Sequence, residues 1–390
     1  MVSLPAHLVA TPVLECLAGG FEGEDPAGGV GGVVLGAGAT AAWVDVGGFV
    51  IAITSREVPL LPNAIALSAG SGTLPHPSVT PGATARLTPG LMTLGPLRIT
   101  WDPTTPPLWD PTVPVPTGVT PEAVAARGAA ILRALGPLPG TVAEGAVDNR
   151  ENPDPQSATL PLRGPQQPGA VEPGAQAGTL TGRPQQPGAA EPEAPAGDLT
   201  DAHIGEPQQP GGADPSALVR ELARVGLVTA ADPDGAAGLT LLFRAVREND
   251  PEPAAAAARA LLGRGPGLTP EADDLLAAVA GTLAVLGPAT RPHQPTRDPP
   301  PHRPTYDPLL DALTPIHGRT TALSATLLTL ASQRRLPEPA GRLLDLGPAG
   351  EANWPAALER LDRLGHGSGR AYAAGIGATA VFLAAGAGVG

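Results

Sequence analysis

The 390-residue sequence has no lysine, one cysteine and few aromatic residues. The single cysteine, Cys16, excludes an internal disulfide framework and any cysteine-rich zinc or iron–sulfur site. All 24 basic residues are arginine, and 37 acidic residues outnumber them, which gives a formal charge of −13. Binding to nucleic acid without sequence preference requires many cations that neutralise phosphates, so we expect no nucleic-acid partner. The acidic balance also disfavours a basic patch for a membrane surface.

The N-terminus has no basic stretch followed by an apolar core and a small-residue cleavage site, so we predict no secretion signal and a cytoplasmic protein. Residues 371–390 carry no charge and are numerous enough to cross a bilayer. They are mostly Ala and Gly, however, which give little transfer free energy. We therefore predict a buried helix in a soluble core and no membrane partner. A membrane-anchored protein, which would pellet with lipid, is the weaker alternative.

Proline and glycine are concentrated in one internal segment. The sequence has 51 Gly and 50 Pro, and residues 146–214 combine many of them with acidic residues. The pentapeptide Pro-Gln-Gln-Pro-Gly occurs there at 165–169, 184–188 and 207–211. The irregular spacing and the lack of an apolar face argue against a solenoid repeat. The composition predicts a disordered linker rather than a Pro-rich docking ligand. Residues 288–308 are predicted to form a second Pro-rich loop.

The chain before the linker is predicted to be a β-rich, barrel-like domain over residues 1–115. Short apolar runs bounded by Gly, Pro and Asp recur there at the spacing of small sheets or barrels. A connecting helix is predicted within residues 116–145. Thr120 is its expected N-cap, and Pro121 lies in the first turn, where a missing N–H is harmless. The predicted strands lie at 32–35, 41–44, 48–54, 64–67 and 97–101.

Residues 215–390 are predicted to be mainly helical. Apolar residues recur there every three or four positions, with Gly or Pro at the breaks. The predicted fold class is therefore α+β, with an N-terminal β-rich domain, a mainly α-helical domain and disordered Pro/Gly-rich insertions. The predicted helices span 216–225, 239–248, 254–262, 270–286, 320–333, 354–364 and 369–384.

The most specific local signal is the sequence GRGPGLTPEADD at residues 263–274. Alternating glycines let the backbone take positive φ or approach a ligand closely, and the free N–H groups of the following helix suit an oxyanion. There is no Gly-Lys-Ser/Thr sequence, so this is not a Walker loop. The two aspartates either complement the helix dipole or act as a base, a substrate-amide acceptor or a magnesium ligand. The candidate residues are Gly263, Gly265, Gly267, Thr269, Asp273 and Asp274.

Two further loops precede helices. In GHGSG at 365–369, Ser368 can cap a helix or act as a nucleophile, and His366 is a second catalytic candidate because it can titrate near neutral pH. A cap is favoured for the serine, since no strand precedes it. In RTTALS at 319–324, an arginine that can hold a carboxylate or phosphate opens another helix; a solvated surface arginine is the alternative. No clustered metal ligands are evident. The candidate binding residues are Arg319, Thr320, Ser324, Gly367 and Gly369.

These three motifs, in this order, resemble the AllH-type family, a subunit of oxamate carbamoyltransferase. The family's N-terminal half is similar to three segments of this chain, LLPNAI at 60–65, LRITWD at 97–102 and Trp109-Asp110. Asn63, in the first of them, is a further candidate binding residue. The chain departs from the family pattern at Glu271-Ala272, where Ser-Gly is expected. It departs again at Arg370 and Tyr372, where a more acidic pattern is expected. These departures predict either a substrate that differs from that of the family or a loss of activity.

The resemblance implies a cytoplasmic subunit that works with an FdrA-like and an AllG-like subunit in purine and allantoin nitrogen catabolism. Such a complex cleaves oxalurate with phosphate, giving oxamate and carbamoyl phosphate. The resemblance identifies no catalytic residue in this subunit, so the residue roles rest on chemistry. The reaction requires groups that hold an anionic phosphate and a ureido carbonyl and that stabilise charge on a tetrahedral centre.

Our hypothesis is that residues 263–269 bind an oxyanion, that Asp273 and Asp274 polarise or orient the substrate amide, and that Arg319 and Ser368 complete the pocket. A small anionic substrate is predicted, and no cofactor, with magnesium as an option that would keep mostly water or substrate ligands. The alternative is a non-catalytic scaffold or a metabolite-binding regulatory subunit.

Overall fold

The computed structural model describes residues 2–18, 29–69, 79–137, 214–265, 267–290, 307–313, 318–365 and 367–387. These residues belong to one compact unit. Nearly all of the predicted linker and most of the predicted Pro-rich loop at 288–308 lie outside the described residues, and so does His366. The predicted domain boundaries that fall within the linker therefore stay predictions.

The N-terminal half is an eight-stranded β-barrel, which confirms the predicted β-rich, barrel-like fold. Strand β1 closes the barrel, because it pairs in parallel with β8 and antiparallel with β5. A short ninth strand, β9, joins the end of β1. The strands are β1 (Val2–Ala10), β2 (Val30–Ala37), β3 (Ala41–Val46), β4 (Phe49–Thr54), β5 (Ala64–Leu67), β6 (Thr84–Thr88), β7 (Leu91–Leu94), β8 (Leu97–Thr100) and β9 (Leu108–Trp109).

Strands β3, β4 and β5 have two buried faces. Side chains alternate across a strand, and the paired residues Val44 and Ile51 lie in the barrel core. On the opposite face, Trp43 and Ala52 are paired and belong to a separate apolar cluster that includes Leu364 of the helical part. Helices therefore cover the outer face of this side of the barrel.

The helical part confirms the seven helices predicted after the linker, although α5 and α11 begin six residues earlier than predicted, and the described residues include three further short helices. Thr120 is the N-cap of the connecting helix, as predicted, and accepts a hydrogen bond from the Ala123 N–H. The helices are α1 (Thr11–Ala18), α2 (Pro121–Leu135), α3 (Pro215–Arg224), α4 (Val228–Ala231), α5 (Pro233–Glu248), α6 (Pro251–Leu261), α7 (Glu271–Thr290), α8 (Asp307–Leu313), α9 (Ala322–Ser332), α10 (Glu338–Leu343), α11 (Pro348–Asp362) and α12 (Ser368–Ala387).

Helix α12 lies in the core of the helical part, as predicted for the uncharged C-terminal stretch, with residues 371–380 all buried. Small residues allow its close packing. A Cβ on Gly375 would lie 2.7 Å from the Ala278 Cβ of α7, and a Cβ on Gly128 of α2 would lie 2.5 Å from the Gly377 carbonyl oxygen. Glycine at these positions therefore sets the distance between α12 and its two neighbours.

Among the described residues, α7 is the helix that is long and apolar enough to cross a membrane. Its most apolar window is 83% buried inside the protein, and it packs against α12. This burial is that of the core helix of a soluble protein. Helix α7 also extends through Pro288 to Thr290, so the predicted Pro-rich loop starts later than the sequence indicated.

Candidate functional site

Three helices, α7, α9 and α12, begin next to one another, and side chains from the preceding loops join them. The Thr320 hydroxyl before α9 donates to Asp273 in the first turn of α7. The Thr321 hydroxyl donates to the Leu268 carbonyl oxygen at 2.6 Å. The hydroxyls of Thr269 and Ser368 are 3.0 Å apart. The three predicted loops therefore converge in space.

The glycine loop before α7 (residues 263–269) requires glycine at its first position. Gly263 has a φ of 78°, a region that side chains other than glycine rarely adopt. A Cβ there would also lie 2.7 Å from the Arg319 carbonyl oxygen. Gly267 also has a positive φ, of 102°, but nothing lies within 4 Å of a Cβ added there. The loop thus packs tightly where it meets the segment before α9 and is open near its tip.

Asp273 is only 2% exposed, and both of its carboxylate oxygens have partners. Oδ1 accepts from the Gly263 N–H at 2.8 Å, and Oδ2 accepts from Thr320. One carboxylate therefore fixes both the start of the glycine loop and the residue before the N-cap of α9. This geometry makes Asp273 a positioning group for two of the three loops.

Asp274 is 5% exposed, and its environment differs from that of its neighbour. Its Oδ2 has no hydrogen-bond partner among the described residues. Burial raises the pKa of this carboxyl to about 8, and the charges of Asp273 and Glu271 add to the shift. Hydrogen bonds from Ser368 and Thr269 act in the opposite direction without cancelling it. Asp274 is therefore a mostly protonated carboxyl at neutral pH.

Tyr372 lies one turn into α12, behind this carboxyl. It is 3% exposed, and burial, together with the nearby Asp274 carboxyl, raises the pKa of its phenol well above the usual value. The tyrosine therefore stays neutral and places no charge beside Asp274. Sequence reasoning registered this residue only as a departure from a family pattern.

Ser324 is a second buried polar residue without a partner. Thr321 is the N-cap of α9 and accepts from the Ser324 N–H at 3.1 Å, so Ser324 lies in the first turn. Its hydroxyl is buried and unpaired among the described residues. The prediction began this helix at Thr320, whereas the structure has Thr321 as its N-cap. The sequence Thr-x-x-Ser at 321–324 could have indicated this cap.

Arg264 of the glycine loop and Glu271 at the start of α7 have partners outside the three helix starts. Arg264 pairs with Asp232 at 2.9 Å. Glu271 accepts hydrogen bonds from the backbone N–H groups of Val228 and Thr229, at 3.2 and 2.7 Å. Glutamate at 271, where the family resemblance leads one to expect serine, thus binds the free N–H groups at the start of α4.

Arg319 lies at the edge of the site and is exposed. Its guanidinium donates to the Arg259 carbonyl oxygen at 2.8 Å, near the end of α6. The contact with the glycine loop comes from the Arg319 backbone carbonyl, beside Gly263. In this structure the side chain therefore holds the segment before α9 against α6.

Asn63 lies in the barrel rather than beside the three loops. Its side-chain amide donates to the Val50 carbonyl oxygen at 2.7 Å, and its Oδ1 has no partner among the described residues. The Val50 N–H donates to Thr326 of α9 at 3.0 Å. Asn63 is therefore connected to α9 only through strand β4.

The site residues lie at three depths. The loop glycines are exposed, the hydroxyl-bearing residues are half-buried, and Asp273, Asp274 and Ser324 are buried. The exposed group comprises Gly263, Gly265, Gly267 and Gly367; the half-buried group comprises Thr269, Thr320 and Ser368. A ligand entering from solvent would meet backbone first, then hydroxyls, then carboxyls.

Ser368 and Gly369 differ from their predicted arrangement. Ser368 is the first residue of α12 and not its N-cap; its hydroxyl contacts Thr269 instead. A Cβ on Gly369 would lie 1.6 Å from the Leu361 carbonyl oxygen of α11. Gly369 is therefore required for packing between α11 and α12.

The carboxylates do not have the arrangement of a metal site. Both Asp273 oxygens are engaged in hydrogen bonds. Within the part of the chain that the structure describes, no three His, Cys, Asp or Glu side chains are grouped as ligands.

A separate cleft of about 330 Å³ opens between the segment after β9 and α10. Trp109, Pro337 and Arg342 are among its lining residues. It contains none of the predicted site residues.

The fold and the site define an α+β protein whose helical part gathers three helix N-termini around buried carboxyl and hydroxyl groups. Residues 261–380 match a family described as oxamate carbamoyltransferase subunit AllH. The AllH-type family predicted from the motifs is thereby confirmed over this segment, which contains all three loops. The family is described as a subunit, which indicates a heteromeric assembly. No curated protein and no solved structure matches the chain.

Proposed function

We propose that this chain is the AllH-like subunit of a carbamoyltransferase-type complex that cleaves oxalurate with phosphate to oxamate and carbamoyl phosphate. The observation that carries the proposal is the convergence of the three helix starts, all of which lie within the segment that matches the family. The three loops bind the small anionic substrate. FdrA-like and AllG-like subunits are the proposed partners, in the cytoplasm and without a cofactor.

Backbone N–H groups supply the positive potential for the anion. The first N–H groups of a helix have no partner within it, and the helix dipole places partial positive charge there. Three such ends meet here. The N–H groups of Ala272, Ser324 and Gly369 already have acceptors within the protein, and the exposed glycines let a ligand approach the other backbone groups closely. This arrangement suits an oxyanion even though the arginines of the loops are bonded elsewhere.

The two aspartates then have different roles. Asp273 positions the loops, because both of its oxygens are used for that purpose. Asp274 has a free oxygen beneath the hydroxyls of Thr269 and Ser368 and is the group that meets the ureido end of the substrate. This assignment replaces the hypothesis in which both aspartates orient the amide.

Reconstitution of the complex tests the function. Carbamoyl phosphate formed from oxalurate and phosphate is measured with the full chain, without it, and with the Thr269→Val/Ser368→Ala double variant. We expect product only when the chain is present, and a strong decrease with the double variant. Equal turnover with the double variant would instead assign the chain a scaffold role.

A further inference from the structure

Asp274 combines three features, and its neighbour Asp273 shares only the burial. It is buried, one of its oxygens has no partner among the described residues, and it lies against the hydroxyls of Thr269 and Ser368. Those hydroxyls are half-buried and 3.0 Å apart. The pair therefore connects a buried carboxyl with the exposed loop that contains Gly367.

The groups that face Asp274 favour its uncharged form. Asp273 and Glu271 contribute negative charge from α7 itself, and α12 contributes the neutral Tyr372. Thr269 before α7 and Ser368 of α12 add their hydroxyl groups. Burial is the main cause that raises the pKa of the carboxyl to about 8, the charges of Asp273 and Glu271 add to it, and the hydrogen bonds from Ser368 and Thr269 act against it. The protonated form therefore predominates at neutral pH.

We propose that Asp274 gives its proton to the nitrogen that leaves when the ureido C–N bond is cleaved, and that the Thr269–Ser368 hydroxyl pair passes a proton between Asp274 and the mouth of the site. The proposal rests on the proposed function and adds the identity of the proton donor. An amide nitrogen is a poor leaving group unless it is protonated, so the reaction requires such a group.

The step balances in atoms and charge. A phosphate oxygen of HPO₄²⁻ forms a bond with the ureido carbonyl carbon, and the C–N bond breaks. The nitrogen takes the electron pair and the Asp274 proton, which gives oxamate. The proton of the phosphate hydroxyl then returns to Asp274, directly or through Thr269 and Ser368, and carbamoyl phosphate remains.

Asp274→Asn in the reconstituted complex tests the donor, with Asp311→Asn, an exposed position in α8, as the matched control. We expect a loss in kcat of about 10²–10⁴-fold with oxamate binding retained, and no loss for the control. The wild-type rate should decline as pH rises through about 8, and the residual rate of the variant should lack this decline. Turnover of the Asn variant within about twofold of wild type overturns the donor role.

Thr269 provides a second variant pair. Thr269→Ser keeps the hydroxyl and should keep turnover, whereas Thr269→Val should lower kcat more than it raises KM. Equal losses in the two variants overturn the relay. If the complex with the wild-type chain forms no carbamoyl phosphate from oxalurate and phosphate, the proposed function itself fails.

Infrared spectroscopy measures the protonation state of the Asp274 carboxyl without requiring turnover. The wild-type minus Asp274→Asn difference spectrum of the full chain should contain a protonated-carboxyl C=O band at pH 7 that disappears above about pH 8. Absence of the band at pH 7 overturns the donor role even in an active complex.

Discussion

Asp273 and Thr320, which are 47 residues apart, join the start of α7 to the segment before α9 through one carboxylate–hydroxyl hydrogen bond. The same carboxylate also accepts from the Gly263 N–H. A single side chain thus fixes the glycine loop and the segment before α9, which the sequence indicated only as separate motifs. The geometry of the site depends on this connection.

Asp273→Ala should lower the free energy of unfolding by about 1–2 kcal/mol, because it removes the acceptor of two part-buried hydrogen bonds, from the Gly263 N–H and the Thr320 hydroxyl. Thr320→Val removes one of the two bonds and should cost about 1 kcal/mol. Urea unfolding of both single variants and the double variant measures the coupling. Losses that add to within about 0.5 kcal/mol would show that the two side chains act independently.

Asp274→Asn should stabilise the protein increasingly as pH rises. The folded carboxyl has a pKa of about 8, against about 3.9 when unfolded. Between those values the unfolded state has lost the proton and the folded state keeps it, so wild-type stability falls by up to about 1.4 kcal/mol per pH unit. Asparagine has no such loss.

Thermal unfolding from pH 4 to pH 9 measures this difference. The difference in midpoint temperature, variant minus wild type, should increase between about pH 4 and pH 8 and should stay constant above that range. Parallel curves would mean that Asp274 ionises normally in the folded protein.

Gly263→Ala should destabilise the protein more than Gly267→Ala. Both positions have positive φ, which costs other residues about 1–2 kcal/mol. Only at Gly263 does the new Cβ meet a backbone atom, the Arg319 carbonyl oxygen at 2.7 Å. Denaturant midpoints check the order, and equal losses would contradict the close approach between the two loops.

Arg370→Met should lower the free energy of unfolding by about 2–3 kcal/mol. The guanidinium donates to the Val225, Leu135 and Gly136 carbonyl oxygens at 2.6–2.7 Å, and so binds the ends of α2 and α3. The matched control is Arg224→Met, whose exposed ion pair with Glu221 should leave the urea midpoint unchanged. A similar effect of the two changes would contradict the role of Arg370.

Local signals predicted much of the fold. Thr120 and Pro121 identified the start of α2, because capping depends on adjacent residues. The sequence did not predict β1 (Val2–Ala10), which contains Pro5 and His7 and is stabilised by pairing with distant β5 and β8. It also missed the β6–β7 hairpin, whose short strands show only weak alternation.

The site was predictable as three loops but not as a set of contacts. Glycine and threonine before a helix are local signals, whereas the Thr269–Ser368 contact spans 99 residues. The different roles of Asp273 and Asp274 also depend on contacts with distant parts of the chain. Adjacent helical side chains point about 100° apart, so one meets Gly263 and the other meets α12.

The most direct test of the central claim, that three helix starts form one anion site, is calorimetric titration of the reconstituted complex with oxamate and with phosphate. The wild-type complex and the Thr269→Val/Ser368→Ala variant are compared, with Asp311→Asn as control. We predict binding to the wild type and the control, and affinity weakened at least about tenfold in the double variant, equivalent to the loss of about 1.4 kcal/mol. Equal affinity in all three would contradict the claim.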